Sequence, residues 1–355
     1  MNPFWSDIVP QLDPYEPGEQ PQVDDLIKLN TNECPYGPSP AVIAAVRAAA
    51  TDELRLYPDP AATQLKRALS ERHGLSPAEV FVGNGSDEVL AHCFQGLLKH
   101  ERPLLFADVT YGFYTSYCRL YQIAYEQVPV DEHLQLRVDD YFERSAGAIV
   151  IVNPNAPTGR AIALADVERL LARRSDVVVV VDEAYVDFGS RSASELVRRF
   201  ANLVVVQTLS KSRALAGMRV GFAFAHPELI DALERVKNSF NSYPLDRLAL
   251  AGATAAIEDQ AYLEEICAKV VASRQRLTGM LQTIGFEVLP SKTNFLFVRH
   301  GSRDARNLFE QLRERHILVR HFMKPRIEQF LRISIGTDRQ CDRLVQVLED
   351  ILRAQ

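Results

Sequence analysis

The chain has 355 residues, long enough for about two domains. Its 47% hydrophobic and 24% charged residues make an ordinary globular balance, and a formal net charge of -6 offers no basic surface to nucleic acid. Five cysteines (Cys34, Cys93, Cys118, Cys267 and Cys341), odd in number and without a C-x-x-C pair, argue for free thiols in a reducing compartment rather than disulfides or a metal site.

Residues 1–7 lack the basic stretch and apolar core of a signal peptide, and no apolar run approaches the length of a membrane span. A cytoplasmic location with no membrane contact is therefore expected. Prolines at positions 10, 14, 17, 21, 35, 38 and 40 make residues 1–40 an extended arm, because proline restricts both itself and its predecessor. Helices are predicted over 40–50 and 61–73, the first with Pro40 near its start, where a missing N–H costs nothing. A short strand over 80–82 leads into Gly83-Asn84-Gly85-Ser86-Asp87-Glu88, which opens a helix running through Leu98. Short β-branched runs follow at 104–107, 148–152, 177–181 and 203–207, with helical stretches such as 165–174 between them.

Apolar strands alternating with helices predict an α/β fold around a mostly parallel sheet covered on both faces. Ligands in such sheets bind beyond the carboxyl ends of the strands. The polar runs 83–88, 153–159, 182–185 and 208–211 each follow a strand. From about residue 246 the chain turns helical, then strand-like over 294–298 and 331–335, which reads as a smaller α+β domain. The expected organisation is an arm over 1–40 that joins the small domain, a large domain over 41–245 and the small domain over 246–355.

Chemistry enters with Thr208-Leu209-Ser210-Lys211 and with Arg219 eight residues on. Hydroxyls, an amine and a guanidinium in one short stretch can hold a phosphate and form a Schiff base to an aldehyde, which is what pyridoxal 5'-phosphate (PLP) needs. Asp182, at the end of a valine-rich strand, either pairs with a protonated pyridine nitrogen or caps a turn. The helix opening at Ser86 can align an anion, but it lacks the lysine of a P-loop and the spacing of a dinucleotide fingerprint. A charged hydrogen bond from Arg219 contributes roughly 1.5–3 kcal/mol, against about 0.3–1 for an exposed helix dipole, so the arginine holds the anion more strongly than the helix does.

Together with Leu29 to Pro38, Arg55-Leu56-Tyr57-Pro58, Tyr111-Gly112, Asn153 to Gly159, Asp182-Glu183-Ala184-Tyr185, Leu215 to Gly221 and Leu331 to Thr337, these runs resemble the fold-type I aminotransferases over nearly the whole chain. Within them they look like the branch that acts on histidinol phosphate. The resemblance implies Lys211 as the Schiff-base lysine, Asp182 as partner of the pyridine nitrogen, Tyr185 on the cofactor's O3′ and Tyr111 stacked on its ring. It puts Ser86, Asp87, Thr208, Ser210 and Arg219 at the phosphate, with Tyr57 reaching that phosphate from a neighbouring subunit in a homodimer. Tyr15, Asn32, Arg320 and Arg332 fall at the substrate, the two arginines suiting a phosphate monoester.

Two positions depart from the family pattern: Ala156 stands where an asparagine commonly meets O3′, with Asn155 the expected substitute, and Cys34 stands where asparagine is common. The implied reaction exchanges the amino group of L-histidinol phosphate with 2-oxoglutarate, giving imidazole acetol phosphate and L-glutamate in histidine biosynthesis. The rival readings are an aromatic amino acid aminotransferase, a phospho-amino-acid decarboxylase and a non-catalytic PLP-binding regulator.

Overall fold

The structure, a computed structural model, describes residues 2–15, 17–21 and 23–354. The chain opens with β1 (Ile27–Lys28), α1 (Pro40–Ala49), α2 (Thr63–His73), β2 (Val80–Asn84), α3 (Gly85–Gly96), β3 (Leu104–Ala107), α4 (Phe113–Tyr121) and β4 (Tyr125–Val128). It continues through β5 (Ala148–Val152), α5 (Leu164–Arg173), β6 (Val178–Asp182), β7 (Leu203–Thr208), β8 (Val220–Ala225) and α6 (Pro227–Phe240). Next come α7 (Arg247–Glu258), α8 (Gln260–Thr283), β9 (Phe286–Val288), β10 (Phe295–His300) and α9 (Ala305–Glu314). The chain closes with β11 (Ile317–Leu318), β12 (Arg320–His321), β13 (Leu331–Ser334) and α10 (Asp338–Arg353).

Local chemistry sets the element ends. Ser39 accepts a hydrogen bond from the Val42 N–H and Pro40 takes the first turn of α1, while Gly74 in the left-handed region closes α2. Thr337 and Gln340 form a reciprocal capping box at the start of α10.

The larger sheet has the order β2-β8-β7-β6-β5-β3-β4. Strands β7, β6, β5, β3 and β4 run parallel, and β8 lies antiparallel to both β7 and β2. Every residue of β5 and β7 is buried, which is why they read as continuous apolar runs. Two strands of this sheet lie outside the runs read from the sequence. β4 is an edge strand with Tyr125, Glu126 and Gln127 exposed, so it carries no apolar run, and β8 starts at the end of the run that carries Arg219.

One core joins α1, α2, α5 and α7 to one face of the sheet, and a second places α3, α4 and α6 on the other. Helix α7 buries Ala249, Ala253, Ala256 and Ile257 in the first of these, whereas α8 buries Leu263, Cys267, Val270 and Leu277 in a third core with β10, β13 and α10. The expected division at residue 246 falls before α7, whose buried side chains pack in the core of the large sheet. The smaller sheet has the order β12-β13-β10-β9, all antiparallel, and β1 of the arm pairs in parallel with β11. Among the described residues no helix is long and apolar enough to cross a membrane.

Candidate active site

Register delivers the polar runs to one place. Asp182 stands level with Val152 on β5 and with Val206 on β7, so the carboxyl ends of the parallel strands finish together. Because β8 runs the other way, it begins where they end: Gly221 pairs with Thr208 and Val220 with Asn84. Arg219, in the left-handed region at φ 54°, thus lies between the end of β7 and the start of α3. Two glycines permit this crowding. A Cβ on Gly221 would overlap the backbone of Gly85 and Ser86, and Gly85, at φ 80°, lies under the Arg219 guanidinium.

A cavity of about 570 Å³ opens at this point. Ser86, Asp87, Tyr111, Asp182, Tyr185, Thr208, Ser210, Lys211 and Arg219 line it from the large sheet, and Tyr15, Asn32, Arg320 and Arg332 line it from the arm and the small sheet. Lys211 Nζ donates to the Thr31 carbonyl at 3.3 Å, and burial, with Arg332 nearby, pushes its pKa down to about 8. Asp182 is 4% exposed, and burial pushes its pKa up to about 6. Its Oδ2 accepts from the Tyr114 hydroxyl at 2.7 Å, while Oδ1 accepts from the Ala184 N–H at 3.2 Å. The turn-capping bond left open by the sequence is therefore present, and the carboxyl still lines the cavity.

Tyr185 accepts from Asn32 Nδ2 at 2.9 Å, and Thr208 donates to Ser210 at 3.0 Å. Arg219 Nη2 donates to Asp87 Oδ2 and Tyr111 donates to Asp87 Oδ1, each at 3.1 Å. With its carboxylate so engaged and itself anionic, Asp87 has only its backbone N–H to offer a phosphate. Arg320 and Arg332 are direct partners across β12 and β13. Arg332 lies over the Phe295 and Phe322 rings at 5.4 and 5.5 Å, and burial draws its pKa down from the usual arginine value.

Two predicted residues lie elsewhere. Asn155 does not line the cavity: its Nδ2 donates to the Val109 carbonyl and to Thr158, and its Oδ1 accepts from Thr110. The expectation that it reaches O3′ in place of the missing asparagine is therefore corrected, since both ends of its amide are committed to the neighbouring loop. Tyr57 is 79% exposed, outside the cavity, and stacks on Tyr243 with ring centroids 4.7 Å apart. Sequence reasoning missed Tyr114, which holds Asp182. No local signal marks it, since Tyr114 lies in the first turn of α4, 68 residues before the carboxylate it holds.

The sequence profile described as aminotransferase class I and II matches residues 24–348. The chain belongs to the class I and II aminotransferases. It is 60% identical over 99% of its length, and over all of the relative's, to histidinol-phosphate aminotransferase of Aromatoleum aromaticum. It is also 57% identical to histidinol-phosphate aminotransferase 1 of Methylococcus capsulatus, over its whole length and 99% of that protein. Among solved structures, histidinol-phosphate aminotransferase from Sinorhizobium meliloti in complex with pyridoxal-5'-phosphate superposes with a TM-score of 0.85 at 27% identity, covering 93% of this chain and 91% of that one. The aminotransferase fits PLP on its own donor set. A buried amine of lowered pKa, a buried carboxyl, a phenol, three hydroxyls and a guanidinium converge on a single cavity.

Proposed function

We propose that this chain, with PLP bound, transfers the amino group between L-histidinol phosphate and 2-oxoglutarate, giving imidazole acetol phosphate and L-glutamate in the histidine biosynthesis of the cytoplasm. One observation carries the reading: the cavity that holds Lys211 and Asp182 on its sheet side is faced by the cross-strand pair Arg320 and Arg332 on the other. When bound, PLP supplies an aldehyde that captures the substrate amine and a ring that accepts electrons.

The protein does the rest. Ser86, Thr208 and Ser210 hydroxyls and the Arg219 guanidinium hold the cofactor phosphate, the arginine contributing the charge. Asp182, ionised above about pH 6, would pair with the cofactor's ring nitrogen, and Tyr111 would pack against its ring. Lys211, with a pKa near 8, is partly neutral at physiological pH and moves the proton at the substrate Cα. Arg332 and Arg320 take the substrate's phosphate in one half of the reaction and the carboxylate of 2-oxoglutarate in the other, because each oxyanion accepts the same planar fork. Tyr15 and the arm close the mouth. The exposed Tyr57 serves the phosphate site of a second copy, so the working form is a homodimer with shared active sites.

The test is the visible spectrum of the PLP-loaded protein as L-histidinol phosphate is added, with phenylalanine as comparison. Loss of the cofactor's visible band at low histidinol phosphate, with release of imidazole acetol phosphate, is the expected result. Bleaching by phenylalanine alone would move the assignment to aromatic amino acids.

A further inference from the structure

Tyr185 lines the cavity, yet the position from which the family's asparagine would join it at the cofactor's O3′ holds Ala156, and Asn155 is turned away. The direction of one buried hydrogen-bond chain shows what stands in. The backbone N–H of Asn32 can only donate, so Ser334 Oγ accepts from it at 2.9 Å. That leaves the Ser334 hydrogen for Asn32 Oδ1, 3.0 Å away. With its oxygen facing Ser334, the Asn32 amide must present Nδ2 to Tyr185, at 2.9 Å. Reversing the amide would leave the Ser334 hydroxyl hydrogen without an acceptor in a buried site, a cost larger than an ordinary bond is worth. The Tyr185 oxygen therefore accepts from Asn32, and its own hydrogen has no acceptor among the described residues.

The backbone supports the arrangement. Asn32 is held in the left-handed region at φ 57°, and its carbonyl accepts from the buried Asn294 Nδ2 at 2.8 Å. Asn294 immediately precedes β10 and Ser334 ends β13, so the small sheet grips Asn32 from two sides.

We infer that Asn32 is a positioning residue that acts through Tyr185, turning the phenol hydrogen into the cavity as a donor to the cofactor's O3′ and so supplying the orientation that Ala156 cannot. This rests on the PLP reading above and reassigns Asn32 from the substrate to the cofactor edge. It also ties the small sheet to the cofactor's proton affinity, because a donor held on O3′ stabilises the phenolate form.

The test uses the full-length protein as wild type, Asn32→Ala, Ser334→Ala, Tyr185→Phe and the Asn32→Ala/Tyr185→Phe double variant. The measurements are the equilibrium dissociation constant for PLP and the pH midpoint of the bound cofactor's visible band. Lys211, Arg332, Asp182 and Asp87 are the charged groups that bear on Tyr185, and every variant keeps them.

Asn32→Ala is expected to weaken PLP binding about fivefold, the size of one neutral hydrogen bond, and to raise the midpoint by roughly half to one pH unit. Ser334→Ala, which frees the amide without removing it, moves both in the same direction by less, and it keeps the idea testable should the alanine at position 32 fold poorly. The deciding result is the double variant, expected to match Tyr185→Phe alone because the two residues act as one unit. Additive effects, or a midpoint that moves with Tyr185→Phe but with neither Asn32→Ala nor Ser334→Ala, would overturn the inference. A wild type that binds no PLP would instead overturn the cofactor reading itself.

Discussion

A carboxyl buried as deeply as Asp182 destabilises the protein whenever it ionises without a cation beside it. Its folded pKa of about 6 lies above the ordinary aspartate value of 3.8, so the fold favours the neutral form. The stability this contributes is fully present below about pH 4 and is lost as pH rises through about 6. Asp182→Asn cannot ionise. In the absence of cofactor it should therefore gain on the wild type between those two pH values, by about 3 kcal/mol at most, and hold the gain above them. The same variant should bind PLP more weakly, having no charge for the ring nitrogen. Chemical denaturation of both proteins from pH 4 to 8 checks this, and a difference that stays flat with pH would contradict it. The residue types for this chemistry are legible in the sequence because Lys211, Asp182, Tyr185 and Arg219 each lie at or near the end of a strand or the start of the next. That Tyr114 holds Asp182 and Asn32 holds Tyr185 is not legible, since a hydroxyl or amide 68 or 153 residues away leaves no local pattern.

At the scale of elements, the site depends on how closely β8 can approach the start of α3. Gly221→Ala places a methyl group against the backbone of Gly85 and Ser86, which neither can vacate without shifting the helix. A loss of about 1–3 kcal/mol is expected, together with weaker PLP binding, since Ser86 moves off the phosphate position. Gly279, inside α8 with nothing beyond the adjoining helix backbone within 4 Å of a new Cβ, is the contrasting case. Gly279→Ala should stabilise by about 0.5–1 kcal/mol and leave PLP affinity unchanged. Urea unfolding and PLP titration of both variants separate the two effects, and equal PLP affinity in Gly221→Ala would show that the contact matters only for stability. The alternation that predicts the parallel strands is silent about β8, because an antiparallel strand buried on both faces has the same composition as a parallel one.

For the whole molecule, the arm and the small sheet complete a cavity that the large sheet begins, and the Tyr57–Tyr243 stack leaves an aromatic pair on the surface. If two copies share their sites, Lys211→Ala and Tyr57→Ala should rescue each other. A mixed dimer holds one site with an intact lysine from one subunit and an intact tyrosine from the other. Mixing the two variants after dissociation should restore part of the activity that each lacks alone. No gain on mixing, with mixed dimers demonstrated by mass, would place Tyr57 outside the site. The arm over 1–40 reads from its prolines as extended; β1 pairs with β11, and the Leu29 carbonyl accepts from the Ser334 N–H at the end of β13, which ties the arm to the small sheet. A boundary at 246 follows the change from α/β alternation to helix, whereas packing moves α7 to the large core, because small apolar residues on one helix face do not say which core receives them.

By itself the sequence determined the α/β class, the strands buried on both faces, the family and most of the residues around the cavity, since each rests on local composition or on motifs a few residues long. Only the tertiary structure decided that Asn155 faces away, that Asp87 commits its carboxylate to Arg219 and Tyr111, and that Asn32 meets Tyr185. Those outcomes depend on strand register and on which buried donors find acceptors across the fold. Hydrogen-bond satisfaction in a closed interior is a property of the whole packing, and no short stretch of the chain encodes it.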